Sequence, residues 1–190
     1  MKILSVNVAT AKPVNINGRE VLTAIGKVPQ TGPVAYGPMG LAGDEQADRS
    51  VHGGLRKAVY ACFSTHLPFW RTVRAQARAA SWDADVPPGL LGENLTIDGM
   101  TERDLWLGDQ LVFADGGVLV VSEPREPCFK FNAAMGFSKA AKLMAESGYC
   151  GTYLAVLKPG QVQSGDSFTL VPGDRALSLP DAFRDRMGRR

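Results

Sequence analysis

The sequence predicts a mainly β, α+β fold: an antiparallel barrel of short strands with a few peripheral helices. Short apolar runs recur along the chain, clusters of Gly, Pro, Asn and Asp stand between them, and two interior segments keep a helical period without the regular strand and helix alternation of a doubly wound sheet. No internal repeat is present, and 190 residues suit one domain with a substantial core. That domain is expected over 1–172. Residues 173–190 read as a polar C-terminal tail, with pattern enough for a short helix over 179–187 and with Arg184, Arg186, Arg189 and Arg190 as a solvated end.

Each element has a local cause. In residues 2–8, Leu4, Val6 and Val8 fall on one side at period two, the mark of a half-buried strand. Asn17-Gly18 separates the apolar runs 14–16 and 20–25 and predicts a two-residue hairpin, because both residues tolerate positive φ. Residues 26–57 carry Gly26, Gly32, Pro33, Gly37, Pro38, Gly40, Gly43, Gly53 and Gly54, too many breakers for a long element, so a long, shaped, functional loop is expected there. A strand at 58–63 is followed by a helix in which Leu67, Trp70, Val73 and Ala77 recur at helical spacing among Arg71, Arg74 and Arg78. Strands are expected at 94–97, 110–113, 118–121, 153–157 and 167–171, with Asp115-Gly116-Gly117 turning one hairpin. Ser138 precedes a helix over 139–147 that Gly148 caps. Leu107-Gly-Asp109 and Ser164-Gly-Asp166 read as turn chemistry.

Composition narrows the function classes. Lys plus Arg number 21 against 19 for Asp plus Glu, so the net charge of +2 gives no argument for a nucleic acid polymer or a membrane surface, and any anion site is local. No apolar stretch nears the roughly 20 residues that cross a bilayer, and MKILSVNVAT lacks a signal peptide's apolar region, so a cytoplasmic protein is expected. The cysteines Cys62, Cys128 and Cys150 are odd in number and far apart, which argues against a disulfide framework and a Cys-x-x-Cys zinc site.

Three segments carry candidate chemistry. The first is SEPREPCFKFN, 122–132, where two prolines preorganise the chain and Arg125 and Lys130 can lower the pKa of Cys128 if their charges face it. A thiolate is a nucleophile and a soft-metal ligand; the residues alone leave equally open a structural thiol with surface cations nearby. Cys62, inside an apolar strand, and Cys150 read as packing residues. The second segment is GLAGDEQADRSVHGG, 40–54. There Asp44, Asp48 and His52 fall at i, i+4, i+8, a metal-ligand row if the chain is helical; the reading we prefer has the carboxylates capping turns and orienting His52 while the glycines bring amides against a ligand. In the third, GLLGENLTIDG, Glu93 and Asn94 stand at the mouth of a strand, either reaching a pocket or satisfying turn amides.

The ordered set GLAGDEQADRSVHGG, GENLTIDGMTE, LGDQL, SEPREPCFKFN and PGQVQSGDSFTL, spanning about Gly40 to Val171, resembles MOSC-domain proteins of the YiiM-like group. The resemblance implies a MOSC-type β-barrel that binds molybdenum cofactor, with Cys128 as catalytic residue and molybdenum ligand. It further implies His52 as a catalytic neighbour, and Arg125, Lys130, Asn132, Glu93 and Asn94 as cofactor-binding residues. The implied activity is reduction of N-hydroxylated compounds, 6-hydroxylaminopurine and related base analogues among them, with electrons from a flavoprotein reductase. Members of that group often carry a C-terminal helical extension, which this sequence does not show after 171. Two other functions remain consistent with the residues: a cysteine-persulfide sulfur carrier or transferase, and a non-catalytic module that captures cofactor or phosphate.

Overall fold

The computed structural model describes residues 1–48 and 53–188. Its largest unit is an eight-stranded sheet whose neighbours run β13 (Phe168–Val171), β9 (Gln110–Phe113), β10 (Val118–Pro124), β11 (Thr152–Lys158), β7 (Val59–Phe63), β8 (Leu95–Asp98), β1 (Lys2–Val8) and β4 (Val28–Pro29). Smaller sheets are the hairpin β2 (Lys12–Ile16) with β3 (Arg19–Thr23), and β12 (Gly160–Val162) with β5 (Val34–Gly37) and β6 (Gly40–Leu41). Four α-helices accompany them: α1 (Leu67–Gln76), α2 (Phe129–Met135), α3 (Ala140–Ser147) and α4 (Leu179–Gly188). The fold is mixed α and β, dominated by sheet.

The expected closed barrel is not found among the described residues. β1 pairs with β8, and with β4 at Asn7 and Val8; its other end meets the residues before β13 through one bridge, Lys2 to Ser167. There the Ile3 amide donates to the Asp166 carbonyl and the Gly165 amide to the Ile3 carbonyl, each at 2.8 Å. Residues 164–166 are a turn, with the Asp166 carboxylate accepting the Gln163 amide at 2.9 Å, so the ladder does not extend. Pairing is otherwise antiparallel among the named strands, with β7 and β8 running parallel.

Turn chemistry places the hairpins. Asn17 at φ 53° and Gly18 at φ 80° form the two-residue turn that pairs Ile16 with Arg19, as Asn-Gly predicts. The Asp109 carboxylate accepts the Trp106 and Gly173 amides at 3.1 and 2.8 Å, which accounts for its burial. The expected face of Leu4, Val6 and Val8 is broken: a register shift between Ile3 and Ser5 leaves Leu4 exposed and turns Ile3 inward. Lys139, not Ser138, is the N-cap of α3, and no side-chain bond caps it. Part of the expected loop over 26–57 is organised as β4, β5, β6 and a 3-10 turn, Leu55–Lys57.

Two apolar clusters hold these pieces together. Ile3, Val59, Ala61, Phe63, Leu95, Leu119 and Leu154 pack together in one cluster against the sheet. Tyr60 and Cys62, alternating with them along β7, join Trp70, Phe131, Met135, Met144 and Phe183 between the sheet and the helices. Both faces of β7 are thus covered, which is why it reads as an unbroken apolar run. Within the expected polar tail, residues 174–177 are exposed, while α4, where the short helix is expected, buries Leu179, Ala182 and Phe183.

Gly151, just before β11, lies close against β7. Its φ is +66°, and a Cβ there would lie 2.2 Å from the Ala61 carbonyl oxygen. Gly151→Ala is therefore expected to lower stability by more than about 1 kcal/mol, read as a fall in the urea midpoint; an unchanged midpoint would show that the strands can separate without cost.

Candidate functional site

The end of β10 delivers the first group of polar residues. After Pro124 the chain leaves the sheet, Arg125 turns inward, and Cys128 becomes the N-cap of α2 at φ −138°, ψ 167°. Lys130, in the first turn of α2, donates to the Leu22 carbonyl at 3.0 Å and so ties the helix to the β2–β3 hairpin. Arg125, Cys128 and Lys130 line one cleft of about 90 Å³, whose other walls come from Thr23, Ala24, Ile25, Lys27, Asp44 to Asp48, Lys57, Tyr60, Asn94 and Tyr153.

Arg125 is 4% exposed and lies between two rings, its guanidinium carbon 4.8 Å from the Tyr60 centroid and 4.7 Å from that of Phe131. Nη1 also reaches the Met144 sulfur at 3.5 Å. Burial works against its charge, yet Tyr60, Tyr153 and Cys128 outweigh that and hold its pKa above the ordinary value. Among the described residues no carboxylate forms an ion pair with it. A buried cation of this kind at a cleft wall favours an anionic ligand group.

The acids of the cleft have partners of their own. Asp44 forms a buried ion pair with Lys27, accepts the Ala9 amide at 2.8 Å and accepts Asn94 Nδ2 at 2.9 Å. Burial lowers the pKa of Lys27, and Asp44 opposes the shift. Asn94 is fixed on every side: Nδ2 also donates to the Asn7 carbonyl at 3.1 Å, and Oδ1 accepts the Tyr60 amide at 3.0 Å. It therefore belongs to the cleft wall and satisfies the backbone at once. Residues 44–48 are not helical, so the spacing of Asp44 and Asp48 does not produce a ligand row; both line the cleft, while His52 lies outside the described residues. Among the described residues no group of three His, Cys, Asp or Glu side chains could hold a metal ion.

Two other expected cofactor contacts point elsewhere. Glu93 is 1% exposed and does not line the cleft; Oε1 accepts the Gly89 amide at 2.6 Å and the Thr96 hydroxyl at 3.1 Å, and Oε2 has no hydrogen-bond partner among the described residues. Asn132 is turned away from the cleft, its Oδ1 accepting the Ala141 amide at 2.7 Å to join α2 to α3. The thiols separate by burial. Cys62 and Cys150 are 4% and 1% exposed, and burial pushes both pKa values up, whereas Cys128 is half-buried at the cleft.

The MOSC domain family model matches residues 48–169. The chain belongs to the MOSC domain family. Protein YiiM of Escherichia coli (strain K12) is 37% identical over 162 residues, covering 84% of this chain and 69% of that protein. A Gibberella moniliformis protein named Reductase is 35% identical over 161 residues, covering 81% of this chain but only 26% of that protein. The crystal structure of YiiM from Geobacillus stearothermophilus shares 31% identity at a TM-score of 0.76, covering 99% of this chain and 84% of that one. The chain is a YiiM-like MOSC protein, as the ordered motifs predict.

The family match begins after Lys27 and Asp44, so a wall of this MOSC cleft comes from residues before the matched segment. Sequence reasoning passed over Lys27, Lys57, Tyr60 and Tyr153. Lys27 and Lys57 offered a signal, as cations at the two ends of the breaker-rich stretch; the tyrosines read only as strand residues.

Glu93 supports a test of how the cleft's underside tolerates charge. Burial raises its carboxyl pKa above 4.5, so folding favours the protonated form: its contribution is complete below that value and is lost as pH rises through the folded pKa. Glu93→Gln keeps an acceptor for the Gly89 amide, and its stability relative to wild type is expected to improve as pH rises from 4 toward 8, by denaturant titration across that range. Glu93→Leu, which strands the amide, should cost about 1–3 kcal/mol. A pH-independent difference between Gln and wild type would show that folding leaves the Glu93 pKa unshifted.

Proposed function

We propose that this protein is a molybdenum-cofactor-dependent reductase of N-hydroxylated compounds, hydroxylamino base analogues such as 6-hydroxylaminopurine among them, supplied with electrons by a flavoprotein reductase. The observation that carries the proposal is the pairing, in one cleft, of a reachable thiol at Cys128 with the buried Arg125 cation. Membership of the MOSC family and the relative named Reductase support it.

The donor set fits the group. Cys128 offers a soft thiolate for molybdenum, and Arg125 and Lys130 offer charge to a pterin phosphate. Bound there, the cofactor would supply the electron pair that breaks the N–O bond. The chain's own residues supply the rest. Asn94, held by the Tyr60 amide, the Asn7 carbonyl and Asp44, presents a wall that cannot rotate. Lys27 Nζ holds a proton against Asp44 inside the cleft, where oxygen leaving as water needs protons. Tyr60 and Tyr153 exclude water from one side of Arg125, which strengthens its hold on an anion. His52, beside the cleft residue Asp48 in sequence, is proposed as a catalytic neighbour on the family resemblance alone.

Protein purified from a host that makes molybdenum cofactor is expected to contain molybdenum, and protein from a cofactor-deficient host none, by elemental analysis. Cys128→Ser should fold, by circular dichroism, and lose hydroxylaminopurine turnover with an artificial electron donor by a factor of about 100 or more, because serine is not ionised near neutral pH and is a harder donor. Cys62→Ser and Cys150→Ser should stay active if folded. Equal metal from both hosts, or full turnover by folded, metal-loaded Cys128→Ser, would overturn the proposal; a persulfide on Cys128 without molybdenum would point to sulfur transfer instead.

A further inference from the structure

The segment that ends at Cys128 is gripped from outside the sheet by the last helix. Arg186 in α4 spreads its guanidinium across two carboxylates, Nη2 donating to Glu123 at 2.7 Å and Nη1 to Glu126 at 2.8 Å. These acids flank Pro124 and Arg125, and Glu126 is followed by Pro127 and Cys128. Pro124 and Pro127 have no N–H to donate, so backbone bonds can fix this stretch less fully than a run of ordinary residues. A planar fork that spans both acids fixes direction as well as distance, which a point charge does not.

The same brace reaches the opposite wall. Glu123 also accepts Arg56 Nε at 2.8 Å and lies 3.9 Å from Lys57 Nζ, so the turn that follows Gly53 and Gly54 is tied to α4 through one carboxylate. α4 is itself anchored, with Phe183 in the aromatic cluster that contains Tyr60, Phe131 and Tyr153, the residues around Arg125. Arg184, by contrast, is 76% exposed and pairs with Asp181 inside its own helix.

We infer that Arg186 is a positioning residue for the cleft: through Glu123 and Glu126 it sets the path of residues 123–128 and thereby places Arg125 and Cys128. α4 lies beyond the segment that matches the family model, so the site is completed by a part of the chain outside that match. The functional side of this inference rests on the proposed reading of the cleft; the mechanical side does not.

The test uses the full chain, first without cofactor. Amide hydrogen exchange is followed at Arg125, Glu126, Cys128 and Phe129 in Arg186→Gln, Arg186→Lys, Glu126→Gln and Arg184→Gln. Arg186→Gln should speed exchange at these amides by about tenfold while β7 keeps its wild-type rates, and Arg186→Lys should recover part of that protection. Glu126→Gln should loosen the same amides without touching α4, and it decides the matter if Arg186→Gln fails to fold. Arg184→Gln should match wild type. In molybdenum-loaded protein, Arg186→Gln should lower kcat several-fold while folding remains intact by circular dichroism. Unchanged exchange in both Arg186→Gln and Glu126→Gln, or an equal effect of Arg184→Gln, would overturn the brace even in an active reductase. Faster exchange in a wild-type background that never shows reductase turnover would leave the brace standing and remove the proposed function.

Discussion

A guanidinium held out of water constrains everything around it. Arg125 is 4% exposed, and a cation so placed is tolerated only where its surroundings replace what water supplied. Tyr60 and Phe131 present ring faces to it, and Met144 offers a polarizable sulfur. These three come from β7, α2 and α3, so the position of the charge depends on the sheet, on the helix that follows Cys128 and on the helix packed against that one. Asn132 gains its meaning here: by accepting the Ala141 amide it locks α2 to α3 and keeps two of the partners in register, a structural service to the site given from outside the cleft.

The remaining charges are arranged so that the cleft stays attractive to an anion. Four cations, Lys27, Lys57, Arg125 and Lys130, share its lining with Asp44, Glu45 and Asp48. Asp44 is taken up by Lys27, Asn94 and the Ala9 amide, and Glu45 accepts the Ala11 amide at 2.7 Å. Behind the wall, burial tends to raise the Glu123 carboxyl, but Arg56, Arg186 and Lys57 outweigh it and hold its pKa below the usual value. A carboxylate ionised and paired in this way draws cations together without repelling a ligand in the cleft.

Much of this was legible in residues whose chemistry is local. Asn17-Gly18 and Asp166 act through groups a few positions away, as Asp109 does toward the Trp106 amide, so these turns could be read directly, and β9 lies where its pattern predicts. Arg125, Cys128 and Lys130 share a cleft because five residues and one helical turn cannot carry them far apart. What was not legible depends on pairing over distance. Whether β1 closes onto β13 is decided by a register shift and a turn on opposite ends of the chain, and neither leaves a mark in periodicity. Glu93 and Asn94 are adjacent and equally polar, yet in the turn before β8 one is spent on the Gly89 amide away from the cleft lining and the other enters its wall. Arg186 reads as solvated because its partners lie about sixty positions away.

The open sheet bears on where the cleft lies. The chain just after β3 joins no ladder; Ala24, Ile25 and Lys27 line one side of the cleft, and the bond from Lys130 to the Leu22 carbonyl ties the end of β3 to α2. The cleft is walled largely by connecting segments, those after β3, after β6 and after β10. Rigid elements carrying polar loops are the usual arrangement for binding and catalysis. Here it has a specific consequence: the thiol that can meet a ligand is the one that lies outside the ladder, and the two inside or next to it, Cys62 and Cys150, are held as packing groups by the same sheet that supports the site.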